Sequence, residues 1–217
     1  MLKAFGFLIS FGILASTGTI VNFDTCPLGK TPPGWTVAMT DRGDPPRWEV
    51  LRDQSAPTQP YVLGQTSSDP TRVRLPLAIL DGVSLRDGDI SVRLKPVSGR
   101  EDQSGGLVFR YRDDKNYYLA RADARTRQVS VYRVVDGRTL PLSPRGMPSA
   151  LGVTHDILPN TWSILKVSVR GNRFQIYVNH RRILQADDSA APAFGKVGLL
   201  TVADSVTYFD DFRIYPK

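Results

Sequence analysis

The chain has 217 residues, 41% of them hydrophobic and 23% charged, which excludes a disordered or fibrous protein and allows a packed core. Against 21 Asp and Glu stand 28 Lys and Arg, a net charge of +7, yet the basic residues are mostly Arg and are scattered along the chain. A nucleic-acid binder gathers them into a stripe or tail, so no nucleic acid is expected as partner; an anionic envelope or an acidic glycan suits the charge better. Glu49 and Glu101 are the only glutamates. That scarcity of a strong helix former agrees with strands and leaves carboxylate chemistry largely to Asp.

In chain order, Lys3, an apolar run over residues 4–14 and the small residues Ala15-Ser16-Thr17-Gly18 predict a signal peptide over residues 1–18, with one domain over residues 19–217. The run is too short for a bilayer, which takes ~20 residues. The chain is therefore expected to be exported, periplasmic or extracellular. Cys26 is the only cysteine, so no intrachain disulfide is available; with neither His near it in sequence, it reads as a small hydrophobe rather than a nucleophile. Residues 19–24 predict a first short strand. Residues 27–46 predict a loop, because five prolines interrupt any ladder. Short strands follow over residues 48–51 and 61–65, then a buried run over residues 73–80. Residues 88–97 alternate, with Ile90, Val92 and Leu94 on one side and Ser91, Arg93 and Lys95 on the other.

The centre of the chain is residues 105–137. Leu107, Phe109 and Tyr111 share one face of the first run, and Val108, Arg110 and Arg112 share the other. Residues 113–116 are turn formers, residues 117–124 and 128–135 are further runs, and Asp136-Gly137 is a hairpin turn. Three runs joined by short polar turns make an antiparallel meander, since parallel strands need long crossovers. Residues 138–160 are rich in Pro and Gly and predict a long loop, a common place for function. They hold His155-Asp156, but sequence neighbours rarely align as a dyad, and no nucleophile can be assigned to this one. Strands then follow over residues 162–170, 174–178, 183–186, 196–202 and 207–215. About a dozen short strands without a helical period predict an all-β fold: a two-sheet antiparallel sandwich of the jelly-roll kind.

The runs GGLVFRYRDDKNYYLARAD, WSILKVSVRGNRFQIYVN, GKVGLLT and VTYFDDFRI, in that order, resemble the concanavalin A-like lectin/glucanase superfamily. Within it the pattern is similar to the laminin-G-like jelly rolls of bacterial exported proteins, including the 3-keto-disaccharide hydrolase-like domain group. The resemblance runs from residue 20 onward and implies a carbohydrate-binding, lectin-like module; a glycoside hydrolase or lyase, and a laminin-G-like adhesion module, are the alternatives it carries. Retaining glucanases of the superfamily use an E-x-D-x-x-E strand motif that sets two carboxylates on one face, and this chain lacks it.

Period two and the resemblance together point to a ligand-binding sheet face. Arg110 and Arg112 are expected there, joined by Tyr118, Arg121 and Tyr132 from the neighbouring strands, with Lys166, Gln175 and Tyr177 also outward. Arg offers a rigid donor fork to hydroxyls or carboxylates. Similar sandwiches hold a structural Ca2+ near the chain ends, which would fall to Asp24 and Asp210; Asp211 points to the opposite face of the strand and could not join from the same side. Trp48 and Trp162 are expected in the core, and Trp35 is assigned to neither core nor site.

Overall fold

A computed structural model describes residues 18–217, so all of the expected leader but Gly18 lies outside the described residues. Sixteen strands make up what is described: β1 (Thr19–Val21), β2 (Trp35–Thr40), β3 (Trp48–Arg52), β4 (Tyr61–Gln65), β5 (Leu75–Leu85), β6 (Gly88–Ser98), β7 (Ser104–Asp113), β8 (Asn116–Asp123), β9 (Gln128–Val135), β10 (Arg138–Pro141), β11 (Val153–Thr154), β12 (Ser163–Arg170), β13 (Arg173–Val178), β14 (Arg181–Asp187), β15 (Gly195–Thr201) and β16 (Val206–Pro216). No helix occurs among the described residues, and so none long and apolar enough to cross a membrane.

The strands form two antiparallel sheets. The first runs β14-β13-β12-β6-β16-β4-β3, with β1 added to β16; the second runs β10-β9-β8-β7-β15-β5-β2, with β11 added to β9. The meander stands as β7-β8-β9, in a register that pairs Leu107 with Ala120 and Ala120 with Val131. Two segments differ from expectation. Residues 27–46 contain β2, because a proline forbids only the positions it occupies: Pro32 and Pro33 end before the strand and Pro45 begins after it. Gly34, at φ 78°, turns the chain into β2, which pairs with β5 alone at the sheet edge. Residues 138–160 likewise hold β10 and β11, both laid against β9.

Leu107, Phe109, Ala120 and Val131 of the second sheet meet Ile90, Val92, Val167 and Phe174 of the first in the main core. Phe109 stands edge-on to Phe174 at 5.0 Å. Each such large apolar side chain contributes about 1.5–3 kcal/mol by leaving water. A second cluster, with Leu75, Leu77, Ile79, Val108, Leu119 and Leu200, covers the far face of the second sheet. That face is closed on itself. Tyr117 on β8 and Thr40 on β2 are four strands apart, about 19 Å in a flat sheet, yet their hydroxyls are 2.7 Å apart. The Thr40 hydroxyl also donates to the Asp114 carbonyl, so Tyr117 is the donor to Thr40. Only a sheet coiled toward its far face brings those corners together.

β7 bulges between Phe109 and Asp113. Arg110 takes the left-handed conformation there, φ 53°, and Gly195 lies against it so closely that a Cβ would meet the Arg110 carbonyl carbon at 2.4 Å. The extra residue shifts the alternation by one position. Arg110 is thereby sent inward and Tyr111 outward, to the far-face cluster, the reverse of what unbroken period two predicts.

Candidate functional site

One end of the concave face is closed by the Thr40–Tyr117 contact. The other end holds an open depression of about 460 Å3. Its floor is apolar: Leu75 from β5, Leu119 from β8, and Val202 just past β15. Leu119 pairs with Tyr132 across β8 and β9, so the half-exposed Tyr132 ring stands beside the floor. Arg138 and Thr139 of β10 continue that wall, and Asp41, Arg72 and Val73 form the wall at the opposite sheet edge.

Arg121 shares the face of Leu119 and is held fast. Its Nη2 donates to Asp102 and, at 2.6 Å, to Asp123; its Nε donates to Ser104 Oγ at 3.1 Å. Burial pushes the Asp102 carboxyl up, against the pull of Arg121 and Ser104. Asp204 anchors the same corner by accepting the backbone N–H groups of Arg100, Glu101 and Asp102. Burial opposes its ionisation, but these donors together outweigh it and hold Asp204 below the usual carboxylate range.

The opposite wall is pinned by Arg74, fully buried, whose Nε donates to the Asp44 carbonyl and Nη1 to the Ala203 carbonyl, both at 2.9 Å, and whose Nη2 reaches Ser67 Oγ. Asp69 accepts from the backbone N–H of Asp44 and from Thr71, which draws its carboxyl down to about 2. Arg72 is paired with Glu101 at 2.6 Å. Arg138 and Asp41, from the two edges of the sheet, make no ion pair among the described residues. The depression thus combines an apolar floor, an aromatic ring, a locked guanidinium and, on its rims, the Arg138 fork and the Asp41 carboxylate, neither in an ion pair, with Asp41 Oδ1 accepting the Arg42 N–H at 2.9 Å. Such a set suits a ligand with apolar C–H faces and many hydroxyls.

No family model matches the chain, and no curated protein matches it. Among solved structures, the carbohydrate-binding module CBM66 from Bacillus subtilis superposes with a TM-score of 0.63 at 21% identity, over 83% of this chain and 94% of that one. The fold is a concanavalin A-like jelly roll. The same jelly roll is similar to domain 4 of AbnA, a GH43 extracellular arabinanase from Geobacillus stearothermophilus solved with arabinotriose (TM-score 0.54, 12% identity, 93% of this chain and 91% of that one). It is also similar to a Bacillus subtilis protein of unknown function with a galectin-like fold (TM-score 0.51, 12% identity, 83% and 88%).

The eight residues expected on one face divide among several surroundings in this jelly roll. Arg121 and Tyr132 come together at the depression. Arg110 and Tyr118 lie inside the sandwich. Arg110 is 3% exposed and donates to the carbonyls of Arg86 (3.0 Å) and Gly171 (2.8 Å). The Tyr118 ring lies 5.2 Å from Phe174, and its hydroxyl donates to Asp188 Oδ2 at 2.8 Å. Arg112 is exposed, next to the bulge. Lys166, Gln175 and Tyr177 do face outward, but from the first sheet, on the other side of the molecule. There Lys166 Nζ sits 4.3 Å from the Tyr177 ring centroid and the Tyr177 hydroxyl donates to Gln175 at 3.0 Å. Asp41, Arg72 and Arg138 were not anticipated. Arg138 opens the Pro-rich segment already marked as a place for function, while nothing periodic points to Asp41 or Arg72.

Asp24 and Asp210 do not fit a calcium ion, which takes six to eight oxygens. Asp24 accepts from the Tyr61 backbone N–H, and both oxygens of buried Asp210 accept from Thr58 or from the Asp211 N–H. Among the described residues no group of three or more His, Cys, Asp or Glu is placed to hold a metal. Asp156 is paired with Arg127 at 2.6 Å, and His155 bonds through its backbone to the Arg127 carbonyl. Trp35 and Trp48 are in the core. Trp162 is only half-buried, with Nε1 donating to Ser55 Oγ at 3.1 Å and Lys95 over its ring. Cys26 is half-buried, and burial, with Asp24 nearby, pushes its thiol up, away from the reactive thiolate.

Proposed function

We propose that this jelly roll is an exported glycan-binding module whose ligand sits in the depression on the far face of the second sheet. One observation carries the reading: Tyr132 and the locked Arg121 flank an apolar floor, with Arg138 and Asp41 unpaired on opposite rims. A pyranose or furanose ring lays its C–H face on Tyr132. Arg138 donates to ring hydroxyls as a planar fork, and Asp41 accepts from the hydroxyls on the far side. Because Arg121 is held by its own partners, it loses little side-chain freedom on binding, whereas the exposed Arg138 is ordered by the ligand. Asp102 and Asp123 are engaged by Arg121, so binding without turnover is the reading they favour. The carbohydrate-linked names of CBM66 and of the arabinanase domain lend it support, as does the apolar run behind Lys3 for export.

The test is isothermal titration of neutral oligosaccharides, with fructose-, arabinose-, xylose- and galactose-based chains, against the protein and its Tyr132→Ala and Arg138→Ala variants. Saturable binding to at least one chain is expected, weakened about 10-fold or more by either substitution, which is the scale of ~1.4 kcal/mol. Absence of binding across the set, or equal binding by both variants, would refute the assignment. Steady release of reducing ends would show turnover instead.

A further inference from the structure

A separate feature lies at the β7 bulge. A crevice of about 230 Å3 is lined there by Arg110, Arg112 and Arg133, beside Tyr118, and is bounded by Ala190 and Pro192 of the β14–β15 connection. Arg110 reaches it through a left-handed backbone conformation, a strain of roughly 1–3 kcal/mol for a residue other than glycine. Its Nη2 is engaged by two carbonyls, but its buried Nε has no hydrogen-bond partner. A buried donor left so costs roughly 1–3 kcal/mol.

The carboxylates nearby do not relieve it. Asp87 Oδ1 stands 3.7 Å from Arg110 Nη2, beyond hydrogen-bond reach. Asp188 Oδ2 already accepts from Tyr118 and is 3.5 Å from Arg133. Arg112 makes no ion pair among the described residues. With Arg86 beside Arg110 and Asp113 beside Arg112 included, four guanidiniums against three carboxylates leave one positive charge in excess, with a donor wanting an acceptor. At Arg112 and Pro192 the crevice runs into a shallower depression of about 570 Å3 that carries Tyr111 and Phe194. Phe194 is 62% exposed.

We propose that this end of the sandwich is a second binding site, for a saccharide bearing an oxyanion. The carboxylate or sulfate enters between the guanidiniums of Arg112 and Arg133 and takes the N–H of Arg110 Nε. The sugar ring then rests on Phe194. Access to Arg110 requires Ala190 and Pro192 to move aside, so binding orders or displaces that connection.

A glucuronate-containing disaccharide, a sulfated disaccharide, the neutral counterpart and sodium sulfate alone are titrated into the protein by calorimetry and 15N–1H NMR. At least one acidic disaccharide binds, shifts the Arg110 Nε–H resonance, and weakens as salt rises through the range where the Debye length falls below about 10 Å. Arg112→Ala/Arg133→Ala weakens it 10-fold or more; Phe194→Ala weakens the disaccharide but not sulfate; Tyr132→Ala leaves it unchanged. Loss of acidic-sugar binding on Tyr132→Ala alone would place it in the first depression and overturn the second site. So would binding of neither acidic sugar, or binding of sulfate alone as tightly as the disaccharides. Failure of neutral sugars to bind touches the first depression only.

Discussion

The contact between Thr40 and Tyr117 is a direct test of the coiled second sheet. Thr40 is 1% exposed and Tyr117 2%, and burial pushes the Tyr117 hydroxyl well above its ordinary range, so it stays a donor. Thr40→Val keeps shape but leaves both the Tyr117 hydroxyl and the Asp114 carbonyl without partners. At roughly 1–3 kcal/mol for each buried orphan, and with partial relaxation, the expected cost is about 3 kcal/mol. Tyr117→Phe removes one donor while Thr40 still reaches Asp114, and should cost about 1 kcal/mol. In the double variant the orphaned hydroxyl is gone, so the cost should be about 2–3 kcal/mol rather than 4, a coupling of at least ~1 kcal/mol. Urea unfolding at pH 7 measures all four proteins, with an unchanged m-value as the control for a two-state comparison. Additive costs to within ~0.3–0.5 kcal/mol would mean that the two hydroxyls do not meet, and the concave face would lose its basis.

Three further outcomes are expected. Arg74→Met should lower stability by about 3 kcal/mol or more, because the Asp44 and Ala203 carbonyls lose their donor in a buried place; a change under ~0.5 kcal/mol in thermal unfolding would show that the pin is dispensable. Gly195→Ala should cost about 1–3 kcal/mol, since its Cβ would stand 2.4 and 2.6 Å from Arg110 backbone atoms that cannot swing away; a neutral result would place the bulge elsewhere. Asp204→Asn should destabilise at neutral pH. The folded Asp204 carboxyl is lowered, so its contribution is full above the unfolded value of about 3.9 and is lost as pH falls through the folded value. The deficit of Asp204→Asn should therefore shrink below about pH 4, and a deficit that stays constant to pH 2 would contradict the N–H nest.

Alternation made much of this fold legible. Residues 88–97 and 162–178 became β6, β12 and β13 with the apolar faces buried as read, although Lys95 and Ser168, expected on the wet side, are buried as well. The same rule failed at Arg110, where the pattern runs on unbroken while the backbone does not. The cause is Gly195, more than eighty positions later, whose missing side chain lets the bulge sit against it. That relation exists only once β7 and β15 are paired. Period two also separates inside from outside without saying which outside. Arg121 and Lys166 both point away from the core, one over the concave face of the second sheet and one over the back of the first. That Tyr132 stands beside Arg121 was legible because both lie in the meander. Asp41 and Arg72 lie in connections whose course depends on buried Arg74, and no local pattern announces a buried arginine.

The position of β16 carries a consequence for how the molecule comes into being. Its eleven residues lie in the middle of the first sheet, between β6 and β4, with β1 laid on as well. Those partners precede it in the chain: β6 can pair with β12 and β4 with β3, but the two pairs are joined into one sheet only through β16. Deleting residues 206–217 would thus empty the centre of one layer instead of trimming a margin, and the first sheet cannot close until β16 has joined its halves.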